Sequence, residues 1–122
     1  MKRLTILFAI FAMAVGCRTI GTGEPVIDAP VFVAEGYTLE RAVLAAANRR
    51  KWSAVKTADN TYRLTIRQWK NICSVDVVMK KDSFSILPVE SNISVMKYNQ
   101  WVNNLEREIR HRADRGNGHI VR

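Results

Sequence analysis

The most reactive side chains of this chain are its two cysteines and two histidines, and the sequence around them gives no sign of catalysis. His111 falls at the end of a predicted helix and His119 close to the C-terminus, and neither accompanies a nucleophile motif. The sequence also lacks the spacings typical of a metal site, a phosphate-binding loop or a redox dithiol. We therefore expect a protein that is not an enzyme, has no catalytic residues and uses no metal ion or cofactor.

A second group of side chains is suited to binding anions. Strand alternation predicts that four cations share the sheet face opposite the helices, with Trp69 as a candidate exposed aromatic near them. These predicted binding residues are Lys56, Arg63, Arg67, Lys80 and Trp69. A basic face would attract an anionic envelope polymer, lipid headgroups or an acidic envelope protein. The alternatives are an ordinary solvated sheet face and, for Trp69, packing at the sheet rim.

The N-terminal segment has the pattern of an export signal. Lys2 and Arg3 precede an apolar run over residues 4–15. As a helix this run would span about 18 Å, too short for the roughly 30 Å of bilayer hydrocarbon. The tetrad Ala14-Val15-Gly16-Cys17 resembles the lipobox of bacterial lipoproteins, where signal peptidase II cuts before a cysteine that carries a diacylglyceryl thioether. The resemblance implies that Cys17 is the lipidation site, with fatty acyl chains of the palmitate type, and the mature N-terminus.

Two other uses of the cysteines remain open at this stage. An ordinary secretory signal would leave Cys17 without a lipid, and a disulfide between Cys17 and Cys73 requires that no acyl chain is attached. Lipidation instead leaves Cys73 unpaired in an alternating apolar run. A free cysteine in such a run usually behaves as a small buried core residue.

The residue after the cysteine indicates the membrane. In lipoproteins of bacteria with two membranes, Asp at this position commonly retains the protein at the inner membrane, and here the residue is Arg18. By this resemblance we expect the periplasmic face of the outer membrane, with the periplasmic face of the inner membrane as the alternative. The formal charge of +8 does not indicate nucleic acid, because an exported chain does not meet it. Basic and aromatic residues interleave only in Arg67-Gln68-Trp69-Lys70.

The chain divides into four predicted segments. Residues 1–16 are the signal peptide, and residues 17–36, rich in Gly and Pro, form the lipidated N-terminus and a tether. Within the tether, the short apolar runs at residues 25–27 and 31–33 could instead dock on the domain as an edge strand, and we expect Val31 to Val33 to dock. Residues 37–114 form the globular domain, and residues 115–122 form a disordered tail.

Apolar periodicity predicts the elements of the domain. Thr38 caps a first helix that ends near Arg50, and a second helix has its apolar stripe at Tyr98, Trp101, Val102, Leu105 and Ile109. Between the helices we predict strands at residues 53–57, 61–67, 72–80 and 83–87, the last with a possible extension toward residue 95. Their short connections favour hairpins. The predicted fold is a two-layer α+β domain, an antiparallel sheet of three to four strands with two helices packed on one face.

Three stretches carry a wider resemblance: Arg49-Arg50-Lys51-Trp52, Ser91-Asn92-Ile93, and Tyr98-Asn99-Gln100-Trp101-Val102-Asn103-Asn104-Leu105. With the lipobox, they resemble a family of uncharacterised small bacterial lipoproteins over roughly residues 1 to 112. The sharpest motif is Tyr-Asn-x-Trp-Val-x-Asn-Leu, and Lys51 stands where that family usually has Gly. The resemblance implies architecture and location but no activity.

The predicted function is a membrane-anchored, non-catalytic interaction or binding module of the cell envelope. A periplasmic small-ligand-binding or enzyme-accessory subunit is the alternative, and self-association is a third possibility. The sequence does not specify the oligomeric state.

Overall fold

The computed structural model of the protein describes residues 23–116, which form five strands and two helices. In chain order the elements are β1 (Val26–Pro30), α1 (Leu39–Arg49), β2 (Ser53–Ala58), β3 (Thr61–Gln68), β4 (Asn71–Met79), β5 (Ser83–Ser91) and α2 (Val95–Arg115). The predicted signal peptide, the lipidation site Cys17 and residues 117–122 of the predicted tail lie outside the described residues. The first two residues of that tail, Arg115 and Gly116, are the last residue and the C-cap of α2.

The strands form one antiparallel sheet in the order β1-β5-β4-β3-β2, and the two helices pack on one of its faces. The predicted α+β class is confirmed. The sheet has five strands rather than three to four, because β1 lies inside the segment predicted to be a tether.

An edge strand does form in this segment, at Val26–Pro30 rather than at Val31 to Val33, and its pairing is irregular. Asp28 has a φ of 49°, and its backbone N–H donates to the Ser85 hydroxyl (2.9 Å) where the register with β5 shifts. Such a bulge breaks the alternation expected of a strand. Val31 and Val33, which were predicted to dock, pack against the core just beyond the end of β1.

Helix α1 begins and ends as its sequence predicts. The Thr38 hydroxyl accepts a hydrogen bond from the Arg41 N–H (3.1 Å), as expected of an N-cap. At the other end, the Trp52 N–H donates to the Ala47 carbonyl (2.8 Å) and Lys51 has a φ of 71°. This is a Schellman-type end, in which the residue with positive φ is most often glycine. Glycine would therefore have a lower conformational free energy than lysine at position 51.

Helix α2 covers the sheet with the apolar stripe that the sequence predicts. The Ser94 hydroxyl accepts from the Lys97 N–H (3.1 Å) and caps the helix one turn earlier than the stripe suggested. The buried residues of α2 are Tyr98, Val102, Leu105, Ile109 and Ala113. Ion pairs at a spacing of four residues join Glu106 with Arg110 (2.8 Å) and Glu108 with Arg112 (3.0 Å) along the helix.

Cys73 lies in the core position that was predicted for it. Its side chain is fully buried and free, and burial raises the pKa of the thiol to about 12. Because the thiolate is the reactive form of cysteine, this sulfur is chemically inert in the folded protein.

The strand directions give the domain two different ends. The β3–β4 hairpin, the start of β2 and the start of α2 share one end, because β3 and β5 run toward it while β2 and β4 run away from it. We call this the tip end and define it by residues 49–53, 67–71 and 92–97. The β2–β3 turn, the β4–β5 turn and the end of α2 lie at the opposite end.

Candidate interaction site

Three of the four predicted cations lie on the sheet face opposite the helices, which we call the open face. Arg63 and Arg67 alternate with the buried Leu64 and Ile66 along β3. Lys80 directly follows Met79, the buried last residue of β4. The structure therefore brings Arg63, Arg67 and Lys80 to one face, as the alternation predicts.

Lys56 lies on the helix side, so its predicted register is wrong. It pairs with Tyr62, which is buried under the helices, and its Nζ lies 3.5 Å from Glu40 Oε2 on α1. Val55, the one large apolar residue of β2, faces the open side and is 63% exposed. Because every residue of this edge strand is exposed, burial does not determine which of its side chains face the helices.

The open face is electrically balanced rather than basic. The Arg63 Nε and Nη2 atoms donate to both carboxylate oxygens of Asp76 (2.8 and 3.0 Å), and this hydrogen-bonded pairing raises the pKa of Arg63. The Lys80 Nζ lies 2.9 Å from Asp28 Oδ1. Glu90 adds a third carboxylate, in register with Ser74 beside Thr65. Within residues 23–116, three carboxylates thus accompany the three cations of this face.

Trp69 lies at the tip of the β3–β4 hairpin with its side chain 96% exposed. It is the first of two turn residues between the paired Gln68 and Asn71, and its φ is 58°. Glycine is a usual choice for positive φ at this position, and the left-handed conformation costs other residues roughly 1–2 kcal/mol. The alternative of packing at the sheet rim is therefore wrong for Trp69, whereas Trp52 is buried.

Asn92 holds this hairpin tip from the adjacent strand. Its Oδ1 accepts from the Ile72 N–H (2.8 Å), its Nδ2 donates to the Lys70 carbonyl (2.8 Å), and its backbone N–H donates to the Ile72 carbonyl (3.2 Å). Asn92 therefore has a structural role. These bonds fix the backbone on one side of Trp69, so the exposed indole projects from an ordered support.

The tip end concentrates unpaired cations. The three ranges that define it contain no acidic residue, and their cations are Arg49, Arg50, Lys51, Arg67, Lys70 and Lys97. Arg50 lies 3.5 Å from Glu108, and Lys97 lies 5.9 Å from the ring centroid of Trp101. Within the described part of the chain, the other four have no ion-pair partner.

Apolar side chains lie among these cations. Met96, in the first turn of α2, is 81% exposed, and its neighbour Val95 is 48% exposed. Together with Trp69 they make the tip end both apolar and positively charged. Lys70 and Met96 were not among the predicted binding residues, because a Trp-Lys turn lacks the usual Gly or Asn signal and α2 was recognised only from Tyr98 onward. Ser94, a favourable N-cap residue, was the signal that could have located Met96.

A small groove lies between the helices and the base of the hairpin. It has a volume of about 160 Å³, and its lining residues are Arg50, Trp52, Ile66, Gln68, Trp101 and Asn104. Trp101, predicted as a core residue, is half-buried here at the edge of the core. The groove is smaller than the roughly 300–1,000 Å³ typical of small-molecule sites.

Residues 23–116 contain no group of three or more His, Cys, Asp or Glu side chains placed to hold a metal ion. In the same residues no helix has both the length and the apolar composition needed to cross a bilayer.

Comparisons with protein-family models, with curated proteins and with solved structures give no match for this chain. The arrangement of side chains is therefore the basis for any functional argument. On that basis the strongest candidate site is the tip end, centred on Trp69.

Proposed function

We propose that the protein is a cell-envelope lipoprotein, acylated at Cys17, whose folded domain is a non-catalytic interaction module at the periplasmic face of the outer membrane. The export pattern and the lipobox resemblance support the anchor. An anchor of two or three acyl chains is stable, because each buried CH₂ contributes about 0.8 kcal/mol and a single chain gives only marginal binding.

The observation that carries the interaction role is the conformation and exposure of Trp69. A tryptophan that is 96% exposed gains nothing from the core, and its φ of 58° makes it less favourable than glycine for folding. Strained residues on the surface are often found where function requires them. The proposed function of this side chain is to contact a partner.

The charges of the two candidate surfaces favour the tip end as the site of that contact. Arg63 and Lys80 on the open face are engaged by Asp76 and Asp28, so an incoming anion would compete with a carboxylate already in place. At the tip end, Arg67 and Lys70 on either side of Trp69 have no such competitor within the described residues. The module is therefore proposed to bind an anionic partner through its tip.

The anchor is tested by the mass of the native protein and by its thiol content. Acylation predicts a chain that begins at Cys17 with the added mass of two or three acyl chains and their glyceryl group. After denaturation it predicts one titratable thiol, that of Cys73. Two thiols would indicate an unmodified Cys17 and no thiols a disulfide, and either result would overturn the proposed anchor. Fractionation of the two membranes then separates the outer-membrane proposal from the inner-membrane alternative.

The interaction role is tested by photo-crosslinking in intact cells. A photoreactive phenylalanine analogue is placed at position 69, with matched controls at Val55 on the open face and at Phe32, an exposed aromatic beyond the end of β1. The proposal predicts adducts, with protein or with lipid, from position 69 and few from the two controls. Equal yields from all three positions would show that Trp69 marks no contact surface.

A further inference from the structure

We infer that the tip end is a membrane-docking surface, which sets Trp69 into the headgroup region of an anionic phospholipid bilayer and orients the domain on it. This inference rests on the proposed function, because it names the partner of the same site. It draws on two independent features of the structure: the position of Gly23, just before β1, and the chemistry of the tip end.

The described chain starts on the tip side of the domain. β1 runs from the middle of β5 toward the opposite end, so the residues before Val26 point back toward the tip. The Glu24 N–H donates to Asn99 Oδ1 (3.4 Å) near the beginning of α2. Gly23 lies so close to Tyr98 and Asn99 that a side chain there would clash with both. The point where the domain meets its N-terminal segment is therefore held against α2 close to the tip.

The length of the preceding segment limits how far the domain can stand from an anchor at Cys17. Residues 17 to 23 span at most about 20 Å when fully extended, at 3.3–3.6 Å per residue. An acylated Cys17 in the outer edge of a bilayer thus keeps Gly23 within this distance of the membrane surface. Because Gly23 lies on the tip side of the domain, the tip end is the end nearer to the anchor.

The side chains of the tip end match the chemistry of an anionic membrane surface. Tryptophan is enriched at membrane interfaces, where its ring is partly apolar and its N–H remains in a polar layer. Met96 and Val95 provide apolar contact close to Lys97. Each cation near an anionic surface contributes about 1 kcal/mol of attraction. At the opposite end, Asp59, Asp82 and Asp114 lie in or beside the loops together with the cations Lys80, Lys81 and Arg115. That end is therefore mixed in charge, which suits an anionic surface less well.

The test uses the purified full-length mature protein with lipid vesicles. One set of vesicles contains phosphatidylcholine alone, and the other also contains phosphatidylglycerol. The emission of Trp69 is obtained as the difference between the wild type and a Trp69→Phe variant, since Trp52 and Trp101 contribute to both. We expect Trp69 emission to shift to shorter wavelength and to lose quenching by iodide on the anionic vesicles. Quenching by lipids brominated in their upper acyl chains should appear at the same time.

Two charge-reversal variants separate a specific docking surface from general attraction. Lys70→Glu removes one cation beside Trp69 and adds a repulsive charge, so the docking equilibrium should fall about thirtyfold. Lys81→Glu makes the same change in net charge in the β4–β5 turn at the opposite end, and docking should fall less than threefold. At about 1 M salt, where the Debye length is about 3 Å, the difference between these variants should largely disappear.

The outcomes distinguish this inference from the proposed function. If the native protein is acylated but Trp69 remains open to iodide on anionic vesicles, the inference is wrong and the lipoprotein proposal stands. If the protein carries no acyl chain, the same vesicle assay still decides whether the tip docks. Equal losses from Lys70→Glu and Lys81→Glu would overturn the proposed orientation. A discrete protein adduct rather than lipid adducts from position 69 in cells would overturn the bilayer as the partner.

Discussion

The open face and the tip end differ in what their charges do. On the open face, Arg63 forms two hydrogen bonds with Asp76, and the face as a whole holds as many carboxylates as cations. At the tip end, cations have no acidic neighbour within the defining ranges, and Trp69 and Met96 extend into solvent. Cations that share a sheet face are thus free to meet an external anion only where neighbouring carboxylates do not already engage them.

The two regions also differ in how their local structure serves stability. The cross-strand pair of Arg63 and Asp76 and the bond between the Thr65 and Ser74 hydroxyls (2.9 Å) join neighbouring strands of the open face. Trp69, by contrast, is exposed and has an unfavourable φ. The contacts of the open face stabilise the fold, whereas the backbone conformation of Trp69 at the tip end destabilises it.

The largest expected effect comes from removing the support of the tip. Asn92→Ala leaves the Ile72 N–H and the Lys70 carbonyl without their 2.8 Å partners, and unfolding should become easier by about 1–2 kcal/mol. Urea denaturation measures this change, and hydrogen exchange of the Ile72 amide should accelerate. Asn103→Ala, on the exposed side of α2, is the matched control and should change stability by less than about 0.5 kcal/mol. Equal effects of the two substitutions would contradict the role assigned to Asn92.

The next prediction compares Arg67, which has no ion-pair partner within the described residues, with Arg63, which is paired with Asp76. Arg67→Gln should weaken binding to anionic vesicles about fivefold, the equivalent of about 1 kcal/mol for one unpaired cation. Arg63→Gln should weaken it less than twofold, since Asp76 already engages that guanidinium. Trp69 emission and its quenching by iodide on the vesicles measure both, because the acyl anchor by itself would co-sediment every variant. A larger loss from Arg63→Gln would return the binding role to the open face.

Trp69→Gly should separate stability from function. Glycine adopts positive φ without a steric penalty, although it also gains freedom in the unfolded chain, so the net stabilisation should be about 0.5–1 kcal/mol. Docking on anionic vesicles should be lost in the same variant. Lys51→Gly, which relieves a similar backbone conformation at the end of α1, should stabilise by a comparable amount. If Trp69→Gly lowers stability, the indole supports the fold and its proposed role is wrong.

The smallest expected effect is on the pH dependence of stability, and it arises from Glu40, which lies beside Lys56 on the helix side of the sheet. The hydrogen bond from the Tyr62 hydroxyl, and then the charge of Lys56, lower the pKa of Glu40 below its ordinary value of 4.5. Because the folded-state pKa is depressed, this stabilisation is present above the ordinary value and is lost as pH falls through the lowered one. Tyr62→Phe should therefore flatten the fall in stability as the pH drops below the ordinary Glu40 value of 4.5. Denaturation of both proteins across this range checks it, and vesicle docking at neutral pH should not change.

The sequence predicted the elements with regular periodicity and missed those without it. Thr38, the apolar stripe of α2 and the alternation of β3 and β4 correctly gave both helices and the central strands. The edge strand was expected at Val31 to Val33 rather than at Val26–Pro30, where the bulge at Asp28 interrupts the pattern. Lys56 was assigned to the wrong face because an exposed edge strand has no buried phase.

The candidate site was predicted in part, for a related reason. Alternation placed Arg63 and Arg67 correctly, but it contains no information on whether Asp76 approaches one of them across the strands. Trp69 could equally have packed or projected, since its exposure depends on a backbone conformation that tryptophan rarely adopts. Ion pairing and turn geometry depend on tertiary structure, and they determine which cations and aromatic side chains are free to contact a partner.

The most direct test of the central claim is hydrogen–deuterium exchange of the native protein with and without anionic vesicles. Binding through the tip end predicts slower exchange of the amides in residues 67–71 and 93–97 on the vesicles. Exchange in the β2–β3 and β4–β5 turns, at the opposite end, should be unchanged. Protection of those turns, or of the strand amides beneath the open face with none at the tip, would contradict the account.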